Sequence, residues 1–285
     1  MEIENKILES EKRIRSLLEQ EVGRGNSKIS QQHLFNYYQQ SIAEGKEIDF
    51  KDTGYRVFSQ FEEDGKLLFI FSVIGKRTKK FVDIGAWDGV ISNCANLLVN
   101  FDWKGLFIDG DEERIGYGKQ YYSTHPDTIW NRPNFDCSFI TRDNVNDIIN
   151  KHNLSGEIDL LSIDIDGNDY WIWKAIEIIN PRVVVIEANL SYGYDSVTIP
   201  YNEQFRYKQD GLCGASVSAL HKLGKEKGYR LIGSTNGGHN LFFVVDNEAS
   251  GKFKEVSPNQ IVDNICKQNS ISSFVDAKKS NLVEV

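Results

Sequence analysis

The stretch Lys80-Phe81-Val82-Asp83-Ile84-Gly85-Ala86-Trp87-Asp88-Gly89 constrains this chain more than any other. A short apolar run enters Asp83, two glycines punctuate a turn, and Val90 to Val99 has the composition of a helix. Strand, glycine turn and helix in that order are the opening unit of a βαβ fold. Gly85 can take positive φ and lets another group approach the backbone closely. The first N–H groups of a helix have no partner inside it, so they can hold a polar or anionic ligand group.

The pattern repeats downstream. Apolar runs at 103–109, within 129–140, at 158–163 and at 182–187 alternate with helical patterns at 111–124 and 141–152. A helix at 214–227 follows, then runs at 229–234 and 240–245 joined through Asn236-Gly237-Gly238, which reads as a hairpin. The expected fold is α/β: a mostly parallel, Rossmann-like sheet of seven strands, the last inserted antiparallel, with helices on both faces. That domain is expected over residues 55–246. Ahead of it, residues 1–54 read as a helical extension. Ile3, Ile7, Ile14, Leu17 and Leu18 line one face of a helix over 2–23, Gly23 to Ser27 ends it, and a second helix covers 31–44. The first helix either pairs with a second copy, giving a homodimer, or lies on its own domain. Residues 247–285 read as a polar tail with weak helical patterning.

Composition narrows the partners. Charged residues make up 26% and the formal charge is −8, which argues against nucleic acid, whose phosphates need clustered Lys and Arg. The one basic cluster, Lys76-Arg77-Thr78-Lys79-Lys80, solvates a loop. No apolar run is long enough to span a bilayer, and no secretory signal is seen, so a cytoplasmic location is expected. Cys94, Cys137, Cys213 and Cys266 are widely spaced and suggest neither a disulfide framework nor a zinc site.

Three nucleotide cofactors compete for the glycine turn, alongside an ordinary turn with no ligand. A dinucleotide fingerprint wants Gly-x-Gly-x-x-Gly; here Trp87 stands where the second glycine would be. A phosphate loop wants Gly-Lys-Ser/Thr, and Gly75-Lys76-Arg77 lacks it. S-adenosylmethionine carries no phosphate and tolerates a side chain there. The second apolar run ends in Asp109, about 24 positions after Gly85, close to the spacing of an acid that takes the ribose hydroxyls. At the end of the third run, Asp136 or Ser138 is placed to hydrogen-bond a base, and Phe139 to pack on it or in the core. Gln60 and Glu63, before the helix that leads into the first strand, either reach the same pocket or favour that helix's N-terminus.

Acids then crowd the fourth and fifth strand ends. Asp164, Asp166 and Asp169 fall within six positions, and Glu187-Ala188-Asn189 closes the fifth run. An open α/β sheet places its chemistry at the carboxyl ends of its strands. The acids superficially resemble a calcium loop but lack its downstream Glu. The irregular stretch 192–211 has the length of a functional loop and is the candidate acceptor lid.

Taken together, the glycine turn, the acid after the second strand and the terminal hairpin resemble a class I S-adenosylmethionine-dependent methyltransferase. Ser59-Gln60 with Glu63-Asp64-Gly65, Val82-Asp83-Ile84-Gly85-Ala86, Ser92-Asn93, Trp103-Lys104-Gly105-Leu106, Ile108-Asp109-Gly110-Asp111, Ile163 to Tyr170, Gly214-Ala215-Ser216 and Lys227 to Gly233 resemble the FkbM-like methyltransferases. The resemblance covers about residues 55–246. It implies methyl transfer to a hydroxyl of a sugar or other small polar metabolite, in polysaccharide, capsule or secondary-metabolite biosynthesis. It places Gln60, Asp83, Gly85, Ala86, Gly89, Asn93, Asp109, Gly110, Asp136, Ser138 and Phe139 at the cofactor. Two mechanisms stay open. In one, Asp164, Glu187 and Asn189 hold Mg²⁺, which lowers the acceptor's pKa. In the other, Asp166 or His239 acts as general base, with Asp164 at the reacting centre. An NAD-dependent nucleotide-sugar oxidoreductase with a degenerate fingerprint, and a non-catalytic binding module, are the rival classes.

Overall fold

The computed structural model describes residues 27–267, 274–275 and 281–285. The first expected helix, at 2–23, lies outside them, and with it the expected pairing surface. The chain divides into two compact units between Glu47 and Ile48. In the first, one helix (α1) runs over 27–43, close to the expected 31–44.

The second unit is built on a seven-stranded sheet in the order β3-β2-β1-β4-β5-β8-β7. Its strands are β1 (Lys80–Ile84), β2 (Lys104–Asp109), β3 (Asn134–Cys137), β4 (Gly156–Ile163), β5 (Ile179–Glu187), β7 (Tyr229–Ser234) and β8 (Asn240–Val245). Strands β1 to β5 pair in parallel. Strand β8 enters antiparallel between β5 and β7, as the hairpin reading predicts. The central strands are apolar on both faces because helices cover both. In register, Val82 pairs with Leu106 on one side and Leu161 on the other. A short ribbon of β6 (Val197–Thr198) and β9 (Val283–Glu284) lies apart from the sheet.

The helices around the sheet are α2 (Glu63–Ile74), α3 (Ala95–Phe101), α4 (Glu112–Thr124), α5 (Val145–Lys151), α6 (Asp169–Ala175), α7 (Val217–Glu226), α8 (Asp246–Ala249) and α9 (Pro258–Lys267). Helix α3 begins five residues later than the expected Val90. Asp88 Oδ1 accepts from Val90 N (2.8 Å) and Ile91 N (3.1 Å), and Ser92 Oγ accepts from Cys94 N (3.0 Å). Such local side-chain bonds satisfy the backbone in turns and hold off the helix. The same competition shortens α5. Thr141 and Asn144 cap each other reciprocally, Thr141 N to Asn144 Oδ1 at 2.8 Å and Asn144 N to Thr141 Oγ1 at 3.2 Å.

Within the expected polar tail, α9 docks on the core. Ile261, Val262 and Ile265 of α9 are buried in the main core beside Leu220 and Leu223 of α7. Ile265 lies four positions after Ile261, on the same helix face, so one stripe of an otherwise polar helix suffices for docking. At the opposite edge from the strand carboxyl ends, Arg182 is buried. It bonds Asp159 Oδ1 (2.6 Å), Glu248 Oε1 (2.9 Å) and the carbonyls of Ile74 and Gly75. No helix among the described residues is long and apolar enough to cross a membrane.

Candidate functional site

The order of the sheet reverses between β1 and β4, and at such a switch point an open α/β sheet forms its crevice. A cavity of 1090 Å³ lies there. Gly85 closes its floor. Its φ is +81°, and a Cβ at this position would stand 1.7 Å from the Asp164 carbonyl oxygen. The close neighbour that demands glycine is therefore the end of β4. Gly85 N and Ala86 N both donate to Ile108 O, at 2.9 and 3.1 Å, which ties the turn to β2.

Asp109 sits at the end of β2, on the cavity wall. Its Oδ2 accepts from Trp87 N and its Oδ1 from Asp111 N, both at 2.9 Å. Each oxygen keeps lone-pair capacity for a further donor. Burial raises the carboxyl's pKa, and the N–H bonds from Asp111 and Trp87 pull the other way. Gln60, Gly110, Ser138, Phe139, Asp164 and Asp166 share this wall. Gln60 reaches it because Asp64 pins the preceding turn, accepting from Val57, Phe58 and Ser59 N at 2.7, 2.6 and 2.9 Å.

Other residues expected at the cofactor stand behind the wall. Asp83 is buried under the turn, accepts from Ser92 Oγ at 2.5 Å, and is pushed up to about 6 by burial. Asn93 Nδ2 donates to Ser162 Oγ (3.2 Å), bridging the turn to β4. Ala86 is buried, and Gly89 N closes onto Ala86 O at 2.7 Å. Glu63 is fully buried and holds Phe61 N and Asn240 Nδ2. Asp136 turns away from the cavity. Its carboxylate is met by Lys151 Nζ (2.8 Å), His152 Nε2 (2.7 Å) and Ser138 Oγ (2.5 Å). Burial would raise Asp136, but the bonds from Lys151, Ser138 and His152 outweigh it and hold it well below the usual carboxylate range.

The acids converge. One carboxylate oxygen each of Asp164, Asp166 and Glu187 lies within 4.8 Å of the others. Asp169, buried at the start of α6, shapes the loop by accepting from Ile165 N and Gly167 N, both at 2.9 Å. Burial raises Asp164 well above the usual range, reinforced by Asp169, Asp166 and Asp83. Burial, then Asp164, pushes Glu187 up to about 10. Asp166 is the most exposed of the three and is raised by burial alone. Asn189 does not join them. Its amide oxygen accepts from Ser191 N (3.0 Å) and Ser191 Oγ (2.5 Å), and its nitrogen donates to Gly211 O and Cys213 O, both at 2.9 Å. It fastens the following loop instead. His239 lies outside the cavity wall, its ring stacked on Phe61 at 5.0 Å.

Several wall residues escaped the sequence reading. Arg56 belongs to a segment without a distinguishing pattern; Trp87 and Asp111 stand inside the glycine-turn and second-strand motifs but were given no contact of their own; Phe205, Arg206 and Tyr207 come from the 192–211 loop. The Arg206 guanidinium lies 3.7 Å over the Phe139 ring, so this loop covers the end of the cavity. The length of the 192–211 stretch was the signal for this loop, but not for which of its residues reach the wall.

Sheet order, inserted antiparallel strand and crevice define a Rossmann-like, mostly parallel α/β fold. Among similar solved structures is an S-adenosylmethionine-dependent methyltransferase from Clostridium acetobutylicum: 10% identity, TM-score 0.41, covering 74% of this chain and 96% of that one. A putative caffeoyl-CoA O-methyltransferase from Staphylococcus aureus shows 17% identity and TM-score 0.40, over 62% and 78% of the two chains. Magnesium protoporphyrin IX methyltransferase from Synechocystis PCC 6803, with bound SAM, shows 12% identity and TM-score 0.33, over 57% and 67%. No family model and no curated protein matches the sequence.

Proposed function

We propose that this chain binds S-adenosylmethionine in the β1–β4 crevice and transfers its methyl group to a hydroxyl of a small polar acceptor. Asp109 carries the reading. Both its oxygens are oriented by backbone N–H groups, each keeps lone-pair capacity for a further donor, and the residue lines the cavity, an arrangement suited to two vicinal ribose hydroxyls. Ser138, Phe139 and Gly110 extend the wall from Asp109, beside which the base belongs. The cavity is at the upper end of ordinary ligand pockets, with room for an acceptor as well as the cofactor.

S-adenosylmethionine supplies a methyl group on a sulfonium, which leaves as a neutral thioether. The protein must then align the acceptor oxygen and take its proton. Asp166 is placed for the proton, because it lines the cavity and its burial makes it a stronger base than a free carboxylate. Asp164 and Glu187 lie within reach of the same group. These three carboxylates also suit Mg²⁺, a hard cation held by oxygen ligands; bound there, it would lower the pKa of an acceptor hydroxyl. Polar wall residues Arg56, Asn168 and Tyr207 suit a sugar or similar metabolite, in keeping with the FkbM-like resemblance.

The test is calorimetric titration with S-adenosylhomocysteine. Micromolar binding is expected in the intact protein, with a loss of at least about tenfold in Asp109→Ala, the worth of one charge-assisted hydrogen bond. A well-folded protein that binds no adenosyl ligand refutes the reading.

A further inference from the structure

The basic cluster Lys76-Arg77-Thr78-Lys79-Lys80 stands at the amino edge of the sheet, across it from the crevice. Arg77 is taken up by Glu157 at 3.1 Å and Glu248 at 3.0 Å. Lys80 is the register partner of Lys104 in the parallel β1–β2 pair, which sets two like charges side by side on strands about 4.8 Å apart. Lys104 N donates to Lys79 O at 2.8 Å. Arg132 enters the same edge two residues ahead of Asn134, the register partner of Leu106. Among the described residues, Lys79, Lys80, Lys104 and Arg132 form no ion pair. An exposed indole joins them. Asn131 ties its loop to this edge, donating from Nδ2 to Trp103 O at 2.7 Å and to Asp102 Oδ1 at 3.2 Å. Yet Trp130 is 97% exposed, and Ile129 before it is 46% exposed. A loop held by its own hydrogen bonds thus keeps its largest apolar side chain in water.

We infer that this edge docks on an anionic lipid bilayer, with Trp130 entering the headgroup layer and Lys79, Lys80, Lys104 and Arg132 meeting the lipid phosphates. An indole is favoured where its ring can be apolar on one side and wet at its N–H. Clustered Lys and Arg are drawn to an anionic leaflet, and the attraction adds up residue by residue. The inference is independent of the cofactor reading above.

Other partners match this edge less well. Protein interfaces are enriched in Trp and Arg but depleted in Lys, and three of these four cations are Lys. Single-stranded nucleic acid is held along a basic groove by several stacking aromatics, and here one indole stands on an open edge. The strands run from this edge to the crevice, so a docked protein keeps its cavity open to water.

The experiment is sedimentation of the full chain with vesicles of phosphatidylcholine alone, or of phosphatidylcholine and phosphatidylglycerol in equal parts, at low salt. Wild type, Trp130→Ser and Lys104→Glu are compared. Both replaced side chains are exposed, so both variants should fold, as circular dichroism will check. The wild type should partition onto the anionic vesicles at least about tenfold better than onto the neutral ones. Trp130→Ser should weaken that partition by about tenfold through lost apolar burial, and Lys104→Glu by about tenfold through charge reversal. Lipids brominated along their acyl chains should quench tryptophan fluorescence in the wild type and less so in Trp130→Ser. Equal partition onto both lipids, no partition at all, or an anionic-vesicle affinity that either variant leaves unchanged overturns the inference. So does a single-stranded oligonucleotide that displaces the protein from anionic vesicles at equal phosphate concentration, which would assign the edge to nucleic acid.

Discussion

Gly85→Ala puts a single methyl group against the floor of the crevice. That carbon would stand 1.7 Å from the Asp164 carbonyl oxygen, 2.5 Å from its carbonyl carbon and 2.9 Å from Ile165 Cγ2. Ordinary contact needs more than 3 Å, so the end of β4 or the turn itself must move by about 1.5 Å. Neither moves freely. Asp164 N donates to Ile84 O at 2.9 Å, and Gly85 N to Ile108 O at 2.9 Å. Overpacking of this kind costs about 1–3 kcal/mol, and the positive φ adds about 1–2 kcal/mol for any residue with a Cβ. A total of about 2–5 kcal/mol corresponds to a fall in Tm on the order of 10 °C for a domain of this size. The residue displaced is Asp164, so adenosyl-ligand affinity and any methyl transfer should fall in the fraction that stays folded. Thermal unfolding followed by circular dichroism, with calorimetric titration of S-adenosylhomocysteine, measures both. A variant with wild-type Tm and wild-type affinity would refute the crowding argument.

Glu187 is pushed up to about 10 by burial and then by Asp164, so the folded protein binds that proton more tightly than the unfolded chain. Its stabilising contribution is complete below the unfolded value near 4.5 and is lost as pH rises toward 10. Glu187→Gln should flatten the decline and exceed the wild type in stability at pH 8 by at least about 1.4 kcal/mol, seen in urea melts across pH; parallel wild-type and variant curves would count against it. If the acid cluster holds Mg²⁺, millimolar Mg²⁺ should raise the wild-type Tm and leave that of Asp166→Asn unmoved. Arg182→Ala strips the buried Asp159 of its only short ion pair among the described residues and should cost about 3–5 kcal/mol. It lies at the opposite edge of the sheet from the cavity, so S-adenosylhomocysteine affinity should hold constant below the variant's melting temperature; a parallel loss of affinity would show that the two edges communicate.

Much of this protein was written locally. Alternating apolar runs and helix patterns, together with the Asn236-Gly237-Gly238 hairpin, were enough to expect a parallel sheet with an antiparallel insertion, because strand and helix periods and connection rules depend on neighbouring residues. The Gly85 turn and Asp109 were legible for the same reason: each ends an apolar run. Side-chain direction at the ends of short strands was not legible. Asp136 and Ser138 are two residues apart, and only the packing of α5 brings Lys151 and His152 to Asp136, so that the acid faces its own helix and the hydroxyl faces the crevice. Asn189 had the right type for a ligand, yet the carbonyls of Gly211 and Cys213 claim its amide. Asp164 and Glu187 belong to different strands, and parallel pairing of β4 with β5 alone sets their carboxylates together. The role of Gly85 also waited for the tertiary structure. The turn's own residues announce positive φ, but the carbonyl that leaves no space for a Cβ belongs to β4, far along the chain.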